Sequence, residues 1–212
     1  MINTEIIDNQ QIAPEVYILS IPRIINFQPG QVIRLIVDEN QPRLYTIASG
    51  NNEDELKVLY DIKPDGLVSP LLKNLCKGDQ ISISEAFGNF TDNSNPAYWI
   101  ANGTGIAPFY AMFKSGSATN KTLIHGGRCK DSFYYQDEFL PYFNDKYIRC
   151  SSQEQSEGLF NGRLTQYLRE QKFLPPDQKY YLCGSVEMVV ETRDILISKK
   201  IPFSNIIAEI YF

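Results

Sequence analysis

Short apolar stretches alternate with turn residues along the first ninety positions. Segments 16–21, 32–37, 45–48, 56–60 and 81–84 are rich in β-branched and aromatic residues and predict strands. Gln28-Pro29-Gly30, Ser49-Gly50-Asn51-Asn52 and Lys77-Gly78-Asp79 separate them as turns. Strands this short and this closely spaced predict a small antiparallel β-barrel. A short helix interrupts them, with Ser69 as its N-cap, Pro70 at its first position and 71–75 as its body.

The polar stretch from Thr91 to Pro96 marks a boundary, and beyond it the rhythm changes. Strand-like segments at 98–101, 122–125, 147–150, 180–183 and 206–212 alternate with helical ones at 108–113, 136–143, 164–171 and 186–199. Such alternation predicts a parallel sheet with helices on its faces and ligands at the carboxyl ends of its strands. Two domains are therefore expected: an N-terminal antiparallel β-barrel over 1–92 and a C-terminal α/β parallel-sheet domain over 93–212.

Composition narrows the function classes. With 43% hydrophobic and 21% charged residues in 212, the chain reads as an ordinary globular protein. No run reaches the roughly 20 apolar residues of a membrane span. The start, Met1-Ile2-Asn3-Thr4-Glu5, lacks the basic and apolar regions of a signal peptide, so a cytoplasmic location is expected. A net charge of −5 argues against nucleic acid as a partner. Cys76, Cys129, Cys150 and Cys183 fit no metal or iron–sulfur spacing.

Three segments carry candidate chemistry. Gly103-Thr104-Gly105 follows a strand, and Pro108 fits the first turn of the next helix. Such a turn can point backbone amides at a pyrophosphate, or it can be a tight connection without a ligand. In Arg43-Leu44-Tyr45-Thr46 the arginine and tyrosine share one face of a strand. That pair suits a phosphate and a flat ring, or an amphipathic strand with a solvated arginine. Gly66-Leu67-Val68-Ser69 opens the short helix as an anion site or as a plain cap. The single histidine, His125, sits at the end of an apolar strand and reads as structural.

Taken in order, the Arg-x-Tyr-Thr strand, the Gly-x-x-Ser turn, Gly-Thr-Gly-Ile-Ala-Pro, Tyr181-Leu182-Cys183-Gly184-Ser185 and the terminal Glu209-Ile210-Tyr211-Phe212 resemble the ferredoxin–NADP reductase superfamily. The likeness is to its compact bacterial ferredoxin or flavodoxin reductases. The resemblance implies bound FAD, with Arg43 on its pyrophosphate, Tyr45 stacked on the isoalloxazine, and Thr46 near flavin N5. Leu44 flanks them, and Gly66, Leu67, Val68 and Ser69 close over the phosphates. It also implies a nicotinamide-nucleotide site shaped by Gly103, Thr104, Gly105 and Pro108. Cys183, Gly184 and Glu209 lie beside the reacting rings. Tyr211 covers the flavin face that nicotinamide must reach, and Phe212 packs near the adenine end. On this resemblance the catalytic set is Thr46, Cys183, Glu209 and Tyr211.

An NAD-preferring fold usually offers an acid to the adenosine ribose, whereas NADP needs cations. Here Arg128 follows the second strand of the C-terminal half and Arg163 lies after the third, which favours NADP(H), with NAD(H) the alternative. Gln153 stands where NADP-dependent relatives carry arginine. The implied function is hydride transfer between NADP(H) and FAD, with ferredoxin or flavodoxin as electron acceptor. Two other readings stay open: an NAD(P)H:flavin reductase or oxygenase reductase component, and a flavin-free binding or regulatory module.

Overall fold

The computed structural model describes residues 1–37, 42–63, 66–94 and 96–211. The chain divides into two compact units, the first formed by Met1–Asp92 together with Ala107–Ser117.

In the first unit β1 (Ile2–Glu5), β2 (Asp8–Ala13), β3 (Val16–Pro22), β4 (Val32–Ile36), β5 (Arg43–Thr46) and β6 (Glu55–Asp61) precede α1 (Ser69–Leu72) and β7 (Gln80–Ile83). Among the described residues they form a four-stranded sheet, ordered β1-β7-β4-β5, and a three-stranded one, ordered β2-β3-β6. All pairings are antiparallel. An Ile47–Val58 bridge joins the sheets along one side. Along the other, the Ile7 N–H donates to the Ser20 carbonyl over 2.9 Å. The closed barrel packs Leu19, Ile33, Leu35, Ile47, Val58 and Ile83 inside. Each such burial contributes about 1.5–3 kcal/mol. The pattern of apolar runs missed β1 and β2 because Ile2-Asn3-Thr4-Glu5 and Asp8-Asn9-Gln10-Gln11 are largely polar. Most of β2 is solvent-facing, with Asn9 and Ala13 half-buried.

The short helix differs from expectation in two ways. It ends at Leu72, and Val68 occupies the N-cap position without a side-chain bond. The Ser69 hydroxyl instead accepts the Lys63 N–H over 2.9 Å, which ties the turn to the end of β6 rather than capping the helix.

Helix α2 (Ala107–Lys114) packs within this unit. Phe109 meets Phe90 edge-on at 5.8 Å, Lys114 pairs with Glu53 at 3.6 Å, and the Asn51 N–H donates to Ser115 Oγ over 3.0 Å. Gly30 has φ +96°, and a Cβ there would lie 1.9 Å from the Phe90 carbonyl oxygen and 2.8 Å from Met112 Cε. Only glycine satisfies both the left-handed backbone and that close approach.

The second unit, Asn93–Ile106 with Ala118–Phe212, is an α/β layer structure. It contains β8 (Ala97–Asn102), β9 (Lys121–Gly127), α3 (Gln136–Phe143), β10 (Tyr147–Ser151), β11 (Phe160–Asn161), α4 (Leu164–Glu170), β12 (Lys179–Ser185), α5 (Val186–Ser198) and β13 (Ile206–Tyr211). Among the described residues the sheet has six strands, ordered β11-β10-β9-β8-β12-β13, all parallel. The two-residue β11 was not expected from sequence. No helix among the described residues is long and apolar enough to cross a membrane.

Alternation along the strands divides the core. Ile100, Ile124, Cys150 and Leu182 pack with Leu164 and Leu168 of α4 and with Met188, Val189 and Leu196 of α5. On the opposite face Trp99 meets Phe143 of α3 at 6.1 Å, and Tyr147 meets Phe139 at 5.6 Å. His125 joins this aromatic layer, edge-on to Phe133 at 5.3 Å, with its Nδ1 3.0 Å from Tyr147 Oη. It is fully buried and its Nε2 has no hydrogen-bond partner. Burial, assisted by the Arg149 charge, lowers its pKa to about 3, so the folded imidazole is neutral. In the unfolded chain it titrates near 6.5. Its contribution is therefore complete above that pH and lost as pH falls towards 3. Denaturation midpoints at pH 7 and pH 4 should fall less between the two pH values for His125→Phe than for the wild type; equal falls would contradict this assignment.

Candidate active site

Strand order in the second unit reverses at β8: β9 lies on one side of it and β12 on the other. The crevice at the carboxyl ends of two such strands is where open α/β sheets bind ligands. Here the chain leaving β8 forms a single 3₁₀ turn, Gly103–Ile106, before α2 begins at Ala107. Pro108 is the second residue of that helix.

The two glycines of Gly103-Thr104-Gly105 do different work. A Cβ on Gly105 would come within 2.4 Å of the Cys183 carbonyl oxygen and 2.6 Å of Gly184 Cα. Gly105 thus allows one backbone to lie against another. Gly103 has φ +54°, and a Cβ there would meet nothing within 4 Å, so its side of the turn is open for an approaching ligand.

Asn102, the last residue of β8, was not singled out from sequence. Its Oδ1 accepts the Ser185 N–H over 2.9 Å, and its Nδ2 donates to Ser185 Oγ over 3.3 Å. Gly184, at φ +149°, would place a Cβ 1.9 Å from the same Oδ1. Ser185 in turn caps α5 by accepting the Met188 N–H. An Asn before a Gly reads as a turn signal, so this bracing was hidden.

Cys183 and Glu209 are register partners on β12 and β13. Cys183 is fully buried. Glu209 Oε2 is buried with no hydrogen-bond partner, and burial raises the carboxyl pKa to about 7. Tyr211 pairs with Ser185 at the end of β13; Phe212 lies outside the described residues.

Arg128 directly follows β9, and Arg163 lies two residues past β11. Register places Gly127 beside Ser151 and Ser151 beside Asn161, so both arginines follow strand ends on the same carboxyl edge of the sheet. Both are exposed. Glu154, between them in sequence, accepts the Lys130 N–H over 2.8 Å. Its own N–H donates to Ser151 Oγ, and the Gln153 N–H donates to the Arg128 carbonyl. This loop is ordered by its own bonds.

The remaining residues singled out from sequence belong to the first unit. On β5, Arg43 lies opposite Leu35 and Tyr45 opposite Ile33, so both share one face. Arg43 is exposed. Tyr45 packs partly against the barrel core, and burial lifts its phenol pKa to about 12. Leu44 is 57% exposed and Leu67 59%, whereas Thr46, Val68 and Ser69 are buried. The Gly66 N–H donates to the Lys63 carbonyl over 2.8 Å.

The Oxidoreductase NAD-binding domain family matches residues 99–194. A ferredoxin–NADP reductase from Pseudomonas aeruginosa is 29% identical, over 82% of this chain and 80% of its own length. Over the whole chain, the fold is similar to the crystal structure of a Neisseria gonorrhoeae ferredoxin NADP+ reductase with bound FAD and NADP. That likeness has a TM-score of 0.88 at 21% identity and covers 98% of that chain. In sequence and in fold the chain resembles the ferredoxin–NADP reductases. The toluate 1,2-dioxygenase electron transfer component of Pseudomonas putida is likewise 29% identical, over 84% of this chain, which spans 57% of that relative's length. The superfamily's barrel and parallel sheet are the two units described above, and its members bind FAD and a nicotinamide dinucleotide.

The Gly105 contact gives a direct test. Gly105→Ala should force the turn away from β12 and weaken nicotinamide-nucleotide binding by about tenfold or more, read by titration, with overpacking costing about 1–3 kcal/mol of stability. Wild-type affinity and stability would show that the turn absorbs a Cβ.

Proposed function

We propose that this chain is an FAD-dependent reductase that takes hydride from NADPH and delivers electrons to a small ferredoxin or flavodoxin. The reading rests on the division into a flavin-binding barrel and a nucleotide-binding parallel-sheet unit. The observation that carries it is the buried Glu209 Oε2, without a hydrogen-bond partner, on the strand in register with Cys183. A buried carboxylate oxygen without a partner is costly unless a ligand answers it. The residues therefore fit a ring docked at the ends of β12 and β13.

When bound, FAD would supply a hydride acceptor and a donor of single electrons, so the cofactors carry the chemistry and the protein orients them. Arg43 supplies the cation for the flavin pyrophosphate, and its guanidinium fork matches phosphate oxygens. Tyr45 offers an uncharged ring against the isoalloxazine, with Leu44 beside it and Thr46 near N5. Gly66, Leu67, Val68 and Ser69 close over the phosphates. On the nucleotide side Gly103 and Thr104 admit the pyrophosphate, while Gly105 and Pro108 fix the turn. Cys183 and Gly184 border the nicotinamide, and Glu209 sets the charge beside it. Arg128 and Arg163 are the cations offered to a 2′-phosphate. The terminal aromatic Tyr211 is assigned the role of yielding to nicotinamide, and Phe212, assigned to the adenine end, lies outside the described residues.

The similarity to the toluate dioxygenase component over most of the chain favours a second reading, a reductase that feeds an oxygenase. Steady-state assays with NADPH or NADH against ferredoxin, flavodoxin and free flavin separate the two. Acceleration by ferredoxin or flavodoxin supports the first, and its absence the second. A purified chain that is colourless and takes up no FAD would sink both.

Two substitutions test the site. Arg43→Ala should weaken FAD binding about tenfold to a hundredfold, the range for a lost charge-assisted hydrogen bond; undiminished flavin occupancy would remove Arg43 from the site. With a pKa of about 7, Glu209 is largely protonated below neutrality and ionised above it. Oxidised nucleotide, whose nicotinamide ring is cationic, should therefore bind more tightly at pH 8 than at pH 6. Glu209→Gln should flatten that dependence, and a profile unchanged in the variant would place the titration elsewhere.

A further inference from the structure

We propose that Asn9, on the polar edge strand β2, is a positioning residue that holds the two ends of the flavin site in one geometry; the proposal rests on the flavin reading above. Its side chain makes the three bonds that join them. Nδ2 donates to the Leu72 carbonyl over 2.8 Å and to the Leu75 carbonyl over 2.9 Å. Oδ1 accepts the Tyr60 hydroxyl over 2.9 Å. An asparagine amide has two donors and one carbonyl, and here all are engaged.

The first pair of bonds acts on α1. The last carbonyls of a helix lack partners within it, and α1 has no basic residue in its last turn. From a strand more than sixty positions away in sequence, Asn9 bonds the Leu72 carbonyl, which also accepts the Leu75 N–H over 3.1 Å, and the Leu75 carbonyl just past the helix. It thereby anchors the four-residue helix whose opening turn, 66–69, is assigned to the flavin phosphates.

The third bond acts on Tyr45. Tyr60 is fully buried, and burial raises its phenol pKa, so it remains a donor to Asn9. Its ring stacks on Tyr17 at 5.5 Å and 22° and meets Tyr45 edge-on at 6.2 Å and 77°. Tyr45 therefore rests on a ring whose hydroxyl is fixed by the same amide that holds α1. A shift of Asn9 moves the phosphate turn and the stacking platform together.

Dissociation constants of the full-length chain for FAD and for riboflavin, which has no phosphates, separate the two arms. Asn9→Ala should weaken FAD about tenfold but riboflavin only about threefold, which is about 1.4 and about 0.7 kcal/mol. Tyr60→Phe keeps the ring and the α1 bonds, so it should weaken both flavins by the same factor of about three. Both variants should alter the visible circular dichroism of the bound flavin. A merely structural role would lower thermal stability and leave the FAD-to-riboflavin ratio of Asn9→Ala at its wild-type value, which would overturn the proposal. If Asn9→Ala fails to fold, wild-type flavin constants and dichroism in Tyr60→Phe overturn it equally. A wild-type chain that binds no FAD fails the flavin reading itself, whereas one that binds FAD beside unaffected variants fails this inference alone.

Discussion

The nucleotide end of this protein depends on one backbone lying against another. The turn after β8 meets the last residues of β12 so closely that position 105 has room for a hydrogen but not for a methyl group. That contact sits where the strand order reverses, the place where a parallel sheet opens a crevice. Asn102 secures it from the side by bonding Ser185 through both amide groups. Ser185 in turn sets the start of α5. The positions of Cys183, Gly184 and the first turn of a thirteen-residue helix thus follow from a glycine and an asparagine on another strand.

Two ionisable groups, one buried and one half-buried, show how the same physics serves different ends. Burial pushes His125 and Glu209 towards their neutral forms from opposite directions, the imidazole down to about 3 and the carboxyl up to about 7. His125 lies inside an aromatic layer, where a neutral ring packs and a charged one does not. Glu209 lies near the end of an edge strand with an oxygen unanswered by the protein. The first arrangement belongs to the fold, and the second offers an acceptor at a place where ligands dock.

Much of this architecture was legible in the residues because each unit announces itself by period. β3 and β6, with β-branched and aromatic runs, and β8, β9 and β12, with apolar runs near Gly or Ser, were all readable from pattern. β1 and β2 were not, since edge strands that face water need no apolar signature. Ser69 misled because a serine before a proline suits an N-cap, yet its hydroxyl bonds backwards to Lys63. The glycine motif was readable as a turn, but not the separate duties of Gly103 and Gly105, which depend on what lies across from each. Asn9 and Asn102 were invisible for a related reason. Their partners are more than fifty residues away in sequence, and nothing local marks a polar side chain as a brace.

Helix α2 has a consequence for the chain's modularity. It continues directly from the glycine turn of the parallel-sheet unit, yet it packs on Phe90, Glu53 and Asn51 of the barrel. The covalent thread therefore passes from one unit to the other at 92/93, at 106/107 and again at 117/118. Neither unit is a continuous stretch of sequence, so they cannot be cut apart at one peptide bond or traded as consecutive cassettes. A recombinant barrel ending at Asp92 would lack the helix that fills the space over Gly30, and a grafted nucleotide unit would bring along a piece of its neighbour's core. Such interleaving makes joint inheritance of the two halves a property of the chain path itself.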